Sequence, residues 1–218
     1  MASTAPTTPS TPTAPTAPTT PKANPFWREA ISYALLFGAI LLTRASFADQ
    51  YTVPSGSMLP TVQLDDRVLV EKCSYGLRIP MSHIYLTHFS EPRRGEVVVL
   101  DSPKESMVLL KRIAAVPGDR VWVHQGQIEI NGVNVPFVEH TDGLYEQAEA
   151  RTHPVSLENG YGPDFGPTVV PPDKYLVLGD NRGNSNDGRY FGYVDRSVLL
   201  GRVEGIFWSH GRPTWHSL

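Results

Sequence analysis

The sequence predicts a mainly β protein carried behind one N-terminal apolar helix. Three observations lead there. Short β-branched runs recur from Arg67 to Trp208, no amphipathic helical period of useful length competes with them, and one apolar segment, Ala30 to Leu42, precedes them all. The chain's 218 residues correspond to one or two domains, enough to bury one ordinary core. Its 19 Lys and Arg against 22 Asp and Glu leave a formal charge of -3, so no basic field awaits phosphates and nucleic acid is not an expected partner. Cys73 is alone, so it closes no internal disulfide and supplies no zinc or iron-sulfur ligand set. The lack of a disulfide leaves the compartment open.

Residues 1–24 are almost entirely Thr, Pro, Ala and Ser, with prolines at 6, 9, 12, 15, 18 and 21. Proline every third residue without glycine excludes collagen and reads as a disordered, extended polyproline II tail. The apolar segment from Ala30 to Leu42 covers only ~20 Å of a ~30 Å bilayer core. Counted from Phe26 to Phe47 it reaches ~33 Å, provided that Arg28 and Arg44 snorkel to opposite head-group layers and Trp27 sits at the interface. Three readings stand: a spanning helix over 26–47, a signal peptide cleaved at Ser46-Phe47-Ala48, or a buried core helix. Lys22 and Arg28 before the segment favour an N-terminus on the cytoplasmic side and the rest outside.

From Asp49 onward the β pattern takes over. Strands are expected at 67–70, 96–100, 107–113, 121–123, 128–130, 175–178 and 202–208. Asn131-Gly132 is a strong hairpin signal and Gln125-Gly126 a weaker one. Residues 139–174, rich in Gly and Pro, read as loop chemistry, and so as an insertion on the β core. The expected layout is a domain over 49–218, with its core at about 49–124 and 173–218 and an inserted lobe at about 125–172.

Three stretches could carry chemistry. Val53-Pro54-Ser55-Gly56-Ser57-Met58-Leu59-Pro60-Thr61 sets two hydroxyls about a glycine between prolines, which is either a polar turn or a nucleophile turn. None of the seven histidines stands where a catalytic base would, and each reads as a surface residue. Lys111 shares a strand face with Leu109 and Ile113, as an edge gatekeeper or as a partly buried amine whose pKa falls into the range of a general base. The third stretch is Gly179-Asp180-Asn181-Arg182-Gly183-Asn184-Ser185-Asn186-Asp187-Gly188-Arg189. It lacks the glutamate an EF-hand needs and contains two arginines, so pairing of Asp180 and Asp187 with Arg182 and Arg189 fits better than calcium binding.

In this order after an apolar N-terminal segment, PSGSMLPT, LLKRIAAVPGD and GDNRGNSNDGRYFG resemble the type I signal peptidases. Asp66 to Lys72 and Tyr75-Gly76 resemble a further box of that family, and the likeness extends over residues 26–218. The resemblance implies a signal-peptidase-like β core with an inserted second lobe, one transmembrane helix, and a Ser/Lys hydrolase that needs no metal or other cofactor. It implies Ser57 as nucleophile, Lys111 as general base, Ser55 with the Ser57 amide as oxyanion hole, and Ser185 as the group orienting the lysine. Asp187 and Arg189, with Asp180 and Arg182, would brace the loop. Tyr51, Val53, Val62 and Leu109 would line pockets for small side chains one and three residues before the cut, unless they are plain core. Substrate would add as an extended strand beside Val108 to Leu110 and Tyr51 to Val53. The implied partners are signal peptides of exported preproteins and the lipid bilayer, at a bacterial cytoplasmic membrane with the catalytic domain outside. Two departures stand out: Gly183 where the family has Asp, and Gly188 where it has Ser, which would loosen the loop. The rivals are a maturation peptidase for one exported substrate and a non-catalytic membrane-tethered peptide-binding domain. A self-cleaving repressor is disfavoured because no DNA-binding domain precedes the β region.

Overall fold

The β rhythm of the sequence continues in the structure, a computed structural model that describes residues 25–46, 48–76, 87–148 and 151–218. The Pro/Thr-rich stretch 1–24 lies outside the described residues. The chain divides into two compact units, 1–39 and 40–218. Helix α1 (Pro25–Ser46) covers the apolar segment, and its Phe26, Trp27, Ile31, Leu35, Leu36 and Phe37 are exposed. Ser32 sits in this segment with its hydroxyl donating to the Arg28 carbonyl one turn back. Among the described residues no helix is long and apolar enough to cross a membrane.

The strands follow as β1 (Ala48–Thr52), β2 (Arg67–Glu71), β3 (Val97–Asp101), β4 (Val108–Ala115), β5 (Arg120–His124), β6 (Gln127–Ile130), β7 (Val133–Asn134) and β8 (Phe137–His140). Then come β9 (Gly143–Ala148), β10 (Arg151–Val155), β11 (Phe165–Val169), β12 (Lys174–Leu178), the single helical turn α2 (Gly188–Phe191), β13 (Val194–Asp195), β14 (Leu199–Ser209) and β15 (Arg212–Ser217). The main sheet has eight strands in the order β1-β2-β14-β3-β4-β12-β13, with β15 added along β14. All its recorded pairings are antiparallel. Strands β5, β6, β7 and β11 form a second sheet, and β8, β9 and β10 a third.

Local chemistry explains these elements. Val97 to Leu100 are buried on both faces because each face of β3 is covered by its own apolar cluster, Val97 and Val99 in one and Val98 and Leu100 in another. Gln125 and Gly126, and again Asn131 and Gly132, have positive φ, as two-residue hairpin turns between right-twisted strands require.

Residues 139–174 differ from the loop chemistry expected of them, since they contain β9, β10, β11 and part of β8. Their prolines are tolerated because Pro154 sits on the edge strand of its sheet, and Pro167 on edge strand β11 where the register shifts between Phe165 and Thr168. Three apolar clusters fill the core. One, beneath the nucleophile turn, joins Val53, Met58, Val62, Val68 and Val99; a second joins Val98, Leu100, Ile113 and Val177; a third packs Val121, Val123 and Ile128 against Leu176 and Leu178.

Candidate active site

The serine turn folds as a 3-10 turn from Gly56 to Met58, and its shape follows from what it is tied to. Met58 is fully buried in the first apolar cluster, and Val53 exchanges backbone hydrogen bonds with Asp65 and Asp66. From the other side Asn181 clamps the turn, its backbone N–H donating to the Ser57 carbonyl and its Nδ2 to the Gly56 carbonyl, each at 3.1 Å. Ser57 therefore stands on a turn held from below by packing and from behind by a buried asparagine. As the second residue of a short helical turn, it has a backbone amide with no partner inside that turn. Ser55 flanks the turn in extended conformation, exposed, with no hydrogen bond capping it.

Lys111 reaches the same point from β4. Its Nζ and the Ser57 Oγ are hydrogen-bonded at 2.7 Å, although 54 residues separate them in sequence. The lysine is 3% exposed, and among the described residues no carboxylate stands within ion-pair distance of its nitrogen. Burial dominates its ionisation. Loss of water lowers the pKa to about 8 even though Asp187 and Asp180 pull it up, and Arg189 adds a small push in the same direction as burial.

Behind the lysine lies a bed of buried ion pairs. Arg112, the next residue on β4, donates from Nε and Nη2 to Asp180 at 2.9 and 2.7 Å, and Thr61 also donates to that carboxylate. Burial opposes the Asp180 charge, but Arg112, nearby His153 and the Thr61 hydroxyl outweigh it and hold the carboxyl below its usual range. Arg182 pairs with Glu146 of β9 at 2.8 Å and donates to the Gly126 and Gly179 carbonyls. Asp187 accepts from Arg189 and from the Gly179 amide, and Arg189 also donates to the Tyr161 and Arg182 carbonyls. The loop thus pairs internally only at Asp187 and Arg189. The partner of Asp180 is Arg112 rather than Arg182, because Arg182 is drawn away to the lobe.

Ser57, Lys111, Ser55, Tyr51, Val53 and Leu109 all line one cleft of 580 Å³, together with Asn184 and Asn186. Val62 does not line it. It is fully buried in the core cluster below, where Tyr51 also packs. Ser185 is buried close to the site, but its Oγ has no hydrogen-bond partner and so does not hold the lysine directly. It packs against Gly179, where a Cβ would stand 2.5 Å from the Ser57 carbonyl oxygen and closer still to the Ser185 Oγ.

The glycine departures have a packing reason. A Cβ at position 183 would collide with the Asn159 carbonyl, and one at 188 would come within 2.7 Å of the Leu176 side chain. Among the histidines, His153 departs from the surface position expected of it. It is buried on β10, with Nε2 3.5 Å from Glu146 and 3.9 Å from Asp180.

Sequence reasoning missed Leu110, Val68 and Val99, which also line the cleft, because the cleft opens at the edge of β4 and takes residues from both of its faces. Alternation along β4 puts Leu110 on the face opposite Lys111, and that face packs on the cluster under the serine turn. A second cavity, of 310 Å³, lies between Ile113, Ile128, Val135, Glu146, His153 and Arg182. It includes neither Ser57 nor Lys111, so the cleft is the place where acyl chemistry can occur. Among the described residues no group of three or more His, Cys, Asp or Glu side chains is placed to hold a metal ion.

Comparison with known proteins joins this geometry to a family. Residues 27–208 match the family model described as signal peptidase, peptidase S26. The chain belongs to that family. It is thereby a serine peptidase, a hydrolase. The "Probable signal peptidase I-2" of Synechocystis sp. is 39% identical over 172 residues, 76% of this chain and 65% of its own length. The signal peptidase I of Leptolyngbya laminosa is 36% identical over 78% of this chain and 73% of its own, and that of Pseudomonas fluorescens is 36% identical over 80% and 69%. The S26 peptidase described here therefore spans just under two thirds to about three quarters of these relatives.

Proposed function

We propose that this S26 peptidase removes N-terminal signal peptides from exported preproteins, cutting after a small-x-small sequence with a Ser57/Lys111 dyad. The carrying observation is the 2.7 Å contact between Lys111 Nζ and Ser57 Oγ, with the amine buried and its pKa lowered to about 8. A lysine so desolvated is neutral often enough near neutral pH to accept a proton. Ser57 Oγ attacks the scissile carbonyl as its proton passes to Lys111 Nζ, and the oxyanion is met by the Ser57 amide and the Ser55 hydroxyl. Collapse of the tetrahedral intermediate breaks the C–N bond, the lysine returns its proton to the departing amine, and an ester on Ser57 remains. Water then gives a proton to Lys111 and attacks that ester; the bond between the acyl carbon and Ser57 Oγ breaks, Lys111 returns the proton to Oγ, and the acyl product leaves as an acid that ionises in solvent. Asp180, Arg182, Asp187 and Arg189 act by holding the loop and β4 in place, and Ser185 acts by packing beside Gly179.

Substrate binds as an added strand. Among the described residues, Val108 to Lys111 of β4 pair only with β3, since β12 covers β4 from Arg112 onward, and β1 pairs only with β2. Both free edges contribute to the cleft. Tyr51, Val53, Leu109 and Leu110 form shallow apolar pockets suited to small side chains. Helix α1 anchors the enzyme once in the bacterial cytoplasmic membrane, with the β domain outside. What supports this reading is the apolar stretch 30–42 with Arg28 and Arg44 flanking it, and the exposed apolar side chains of residues 26–37, which a lipid environment would cover.

The test is incubation of the detergent-solubilised protein, and of its Ser57→Ala and Lys111→Ala variants, with a labelled preprotein carrying an Ala-x-Ala site. Cleavage after the final alanine by the wild type and by neither variant is the expected result. Intact preprotein with folded wild-type enzyme overturns the reading, and sedimentation of α1-deleted protein with membranes overturns the anchor.

A further inference from the structure

The open edge of β4 runs from Val108 to Lys111 and stops there, because Arg112 already pairs with Leu178 of β12. Ser57 and Lys111 therefore stand at the closed end of the edge. A substrate strand laid along Val108 to Leu110 reaches the reacting atoms with nowhere further to pair. Its residues beyond the cut must rise off the sheet, over whatever bounds the cleft at that end. The chain leaving β12 there is the 179–187 loop, and the loop residues lining the cleft are Asn184 and Asn186. Both are exposed, and among the described residues neither side-chain carboxamide has a hydrogen-bond partner, whereas Asp180, Asn181, Arg182, Ser185 and Asp187 around them are buried. The loop is held by the buried Asp180, Asn181, Arg182 and Asp187, and it presents two exposed carboxamides at the cleft.

We infer that Asn184 and Asn186 form the subsite for the peptide backbone of the first two residues after the scissile bond. This deepens, and rests on, the peptidase reading above. A carboxamide offers both a donor and an acceptor, as a peptide group does, so the pair reads main chain and ignores side chains. That suits an enzyme whose products begin with many different residues. The two amides grip the departing segment while its new amine takes the proton from Lys111.

The test compares two substrates that share the same residues before the cut. One is a peptide continuing several residues past it; the other is an aryl ester whose leaving group carries no peptide backbone. For an Asn184→Ala/Asn186→Ala double variant of the full chain, kcat/KM on the peptide should fall about 10-fold, the size of one or two ordinary hydrogen bonds. On the ester it should stay within about twofold of wild type. A third substrate, with an ester oxygen replacing the N–H between the first and second residues after the cut, should cost the wild type about 5-fold and the double variant nothing. Equal loss on peptide and aryl ester overturns the subsite in favour of a structural role, and no loss on either overturns it outright. Wild-type enzyme inactive on both substrates overturns the peptidase reading, and the subsite with it.

Discussion

Lys111 and Arg112 are neighbours on β4 and both are buried, yet they belong to two different electrostatic regions. Lys111 turns to the cleft, meets only a hydroxyl, and loses its proton readily. Arg112 turns to the opposite face, meets the Asp180 carboxylate through two short hydrogen bonds, and donates to the Gly95 carbonyl as well. The pleat of one strand separates them. Burial alone does not decide whether a cation is reactive or structural; what decides it is whether the desolvated charge has a carboxylate within bonding distance. The proposed Ser57/Lys111 chemistry needs the first arrangement and its precision needs the second, one residue apart.

The sharpest way to break this comparison is to remove each cation in turn. Lys111→Met should lower the turnover of a small-x-small substrate by at least about 1,000-fold, some 4 kcal/mol of barrier, because Ser57 is left without a base. Its melting temperature at pH 7 should hold or rise, since an unpaired buried amine is exchanged for an apolar chain of similar length. Arg112→Met should do the reverse in stability, at a cost of about 3–5 kcal/mol, because Asp180 is then buried without its partner. Denaturant unfolding of both variants checks the pair. If Lys111→Met proved the more destabilised of the two, the lysine would be a structural residue.

Next in size is the carboxylate itself. Asp180→Ala should destabilise by about 3–5 kcal/mol, leaving the Arg112 guanidinium stranded, while the double change Arg112→Met/Asp180→Leu should recover much of that loss. Activity of the double variant at a temperature where it is folded then separates two roles of the pair. Recovered stability with depressed kcat would mean that the bed positions β4 and the Thr61 end of the serine turn rather than merely filling space.

How much of this was legible in the sequence depended on distance along the chain. Ser57, Lys111 and the 179–189 loop each lie in a short ordered motif, so their nature could be read directly and their meeting inferred from the family likeness. The pairing of Arg182 with Glu146 could not, because it joins the loop to strand β9 through tertiary packing. Strands β10 and β11 were hidden by Pro154 and Pro167, which mark a loop unless one knows that the strand lies at a sheet edge. Val62 stayed open between pocket and core in the sequence, and the structure puts it in the core, because an apolar residue near a nucleophile has the same identity in a pocket wall as in the core beneath it. Leu110 was missed for a related reason: alternation divides β4 into two faces but does not say that the cleft, at the strand's edge, takes residues from both. The burial of His153 left no trace in the sequence at all, since its partners come from two other segments.

A smaller effect tests the ionisation of Lys111. With its pKa at about 8, roughly one-tenth of the amine is neutral at pH 7, so acylation of Ser57 should rise about 10-fold from pH 7 to well above 8 and then level off. In the unfolded chain the same amine returns towards 10.5. Between about 8 and 10.5 the unfolded state therefore holds a proton that the folded state has released, and this group's contribution to stability rises with pH across that window. A pH series of single-turnover acylation, with Lys111→Met unfolding as the control, checks both signs. A rate that falls from pH 6 to 8 would contradict a neutral-amine base.

The smallest effect sharpens the comparison from the other side. Lys174 and Asp195 also form an ion pair at 2.8 Å, the same separation as Arg189 and Asp187, but their side chains are 36% and 57% exposed where the other pair is fully buried. Water screens the exposed pair and already solvates each partner when the other is removed. Lys174→Ala should therefore cost under about 1 kcal/mol, and that cost should shrink further in 0.5 M salt. Chemical unfolding at two ionic strengths measures it. If distance governed the strength of these pairs, Lys174→Ala and Arg189→Ala would cost alike. If desolvation governs it, as Lys111 and Arg112 indicate, the exposed pair is nearly dispensable and the buried one is not, although the contact distances are the same.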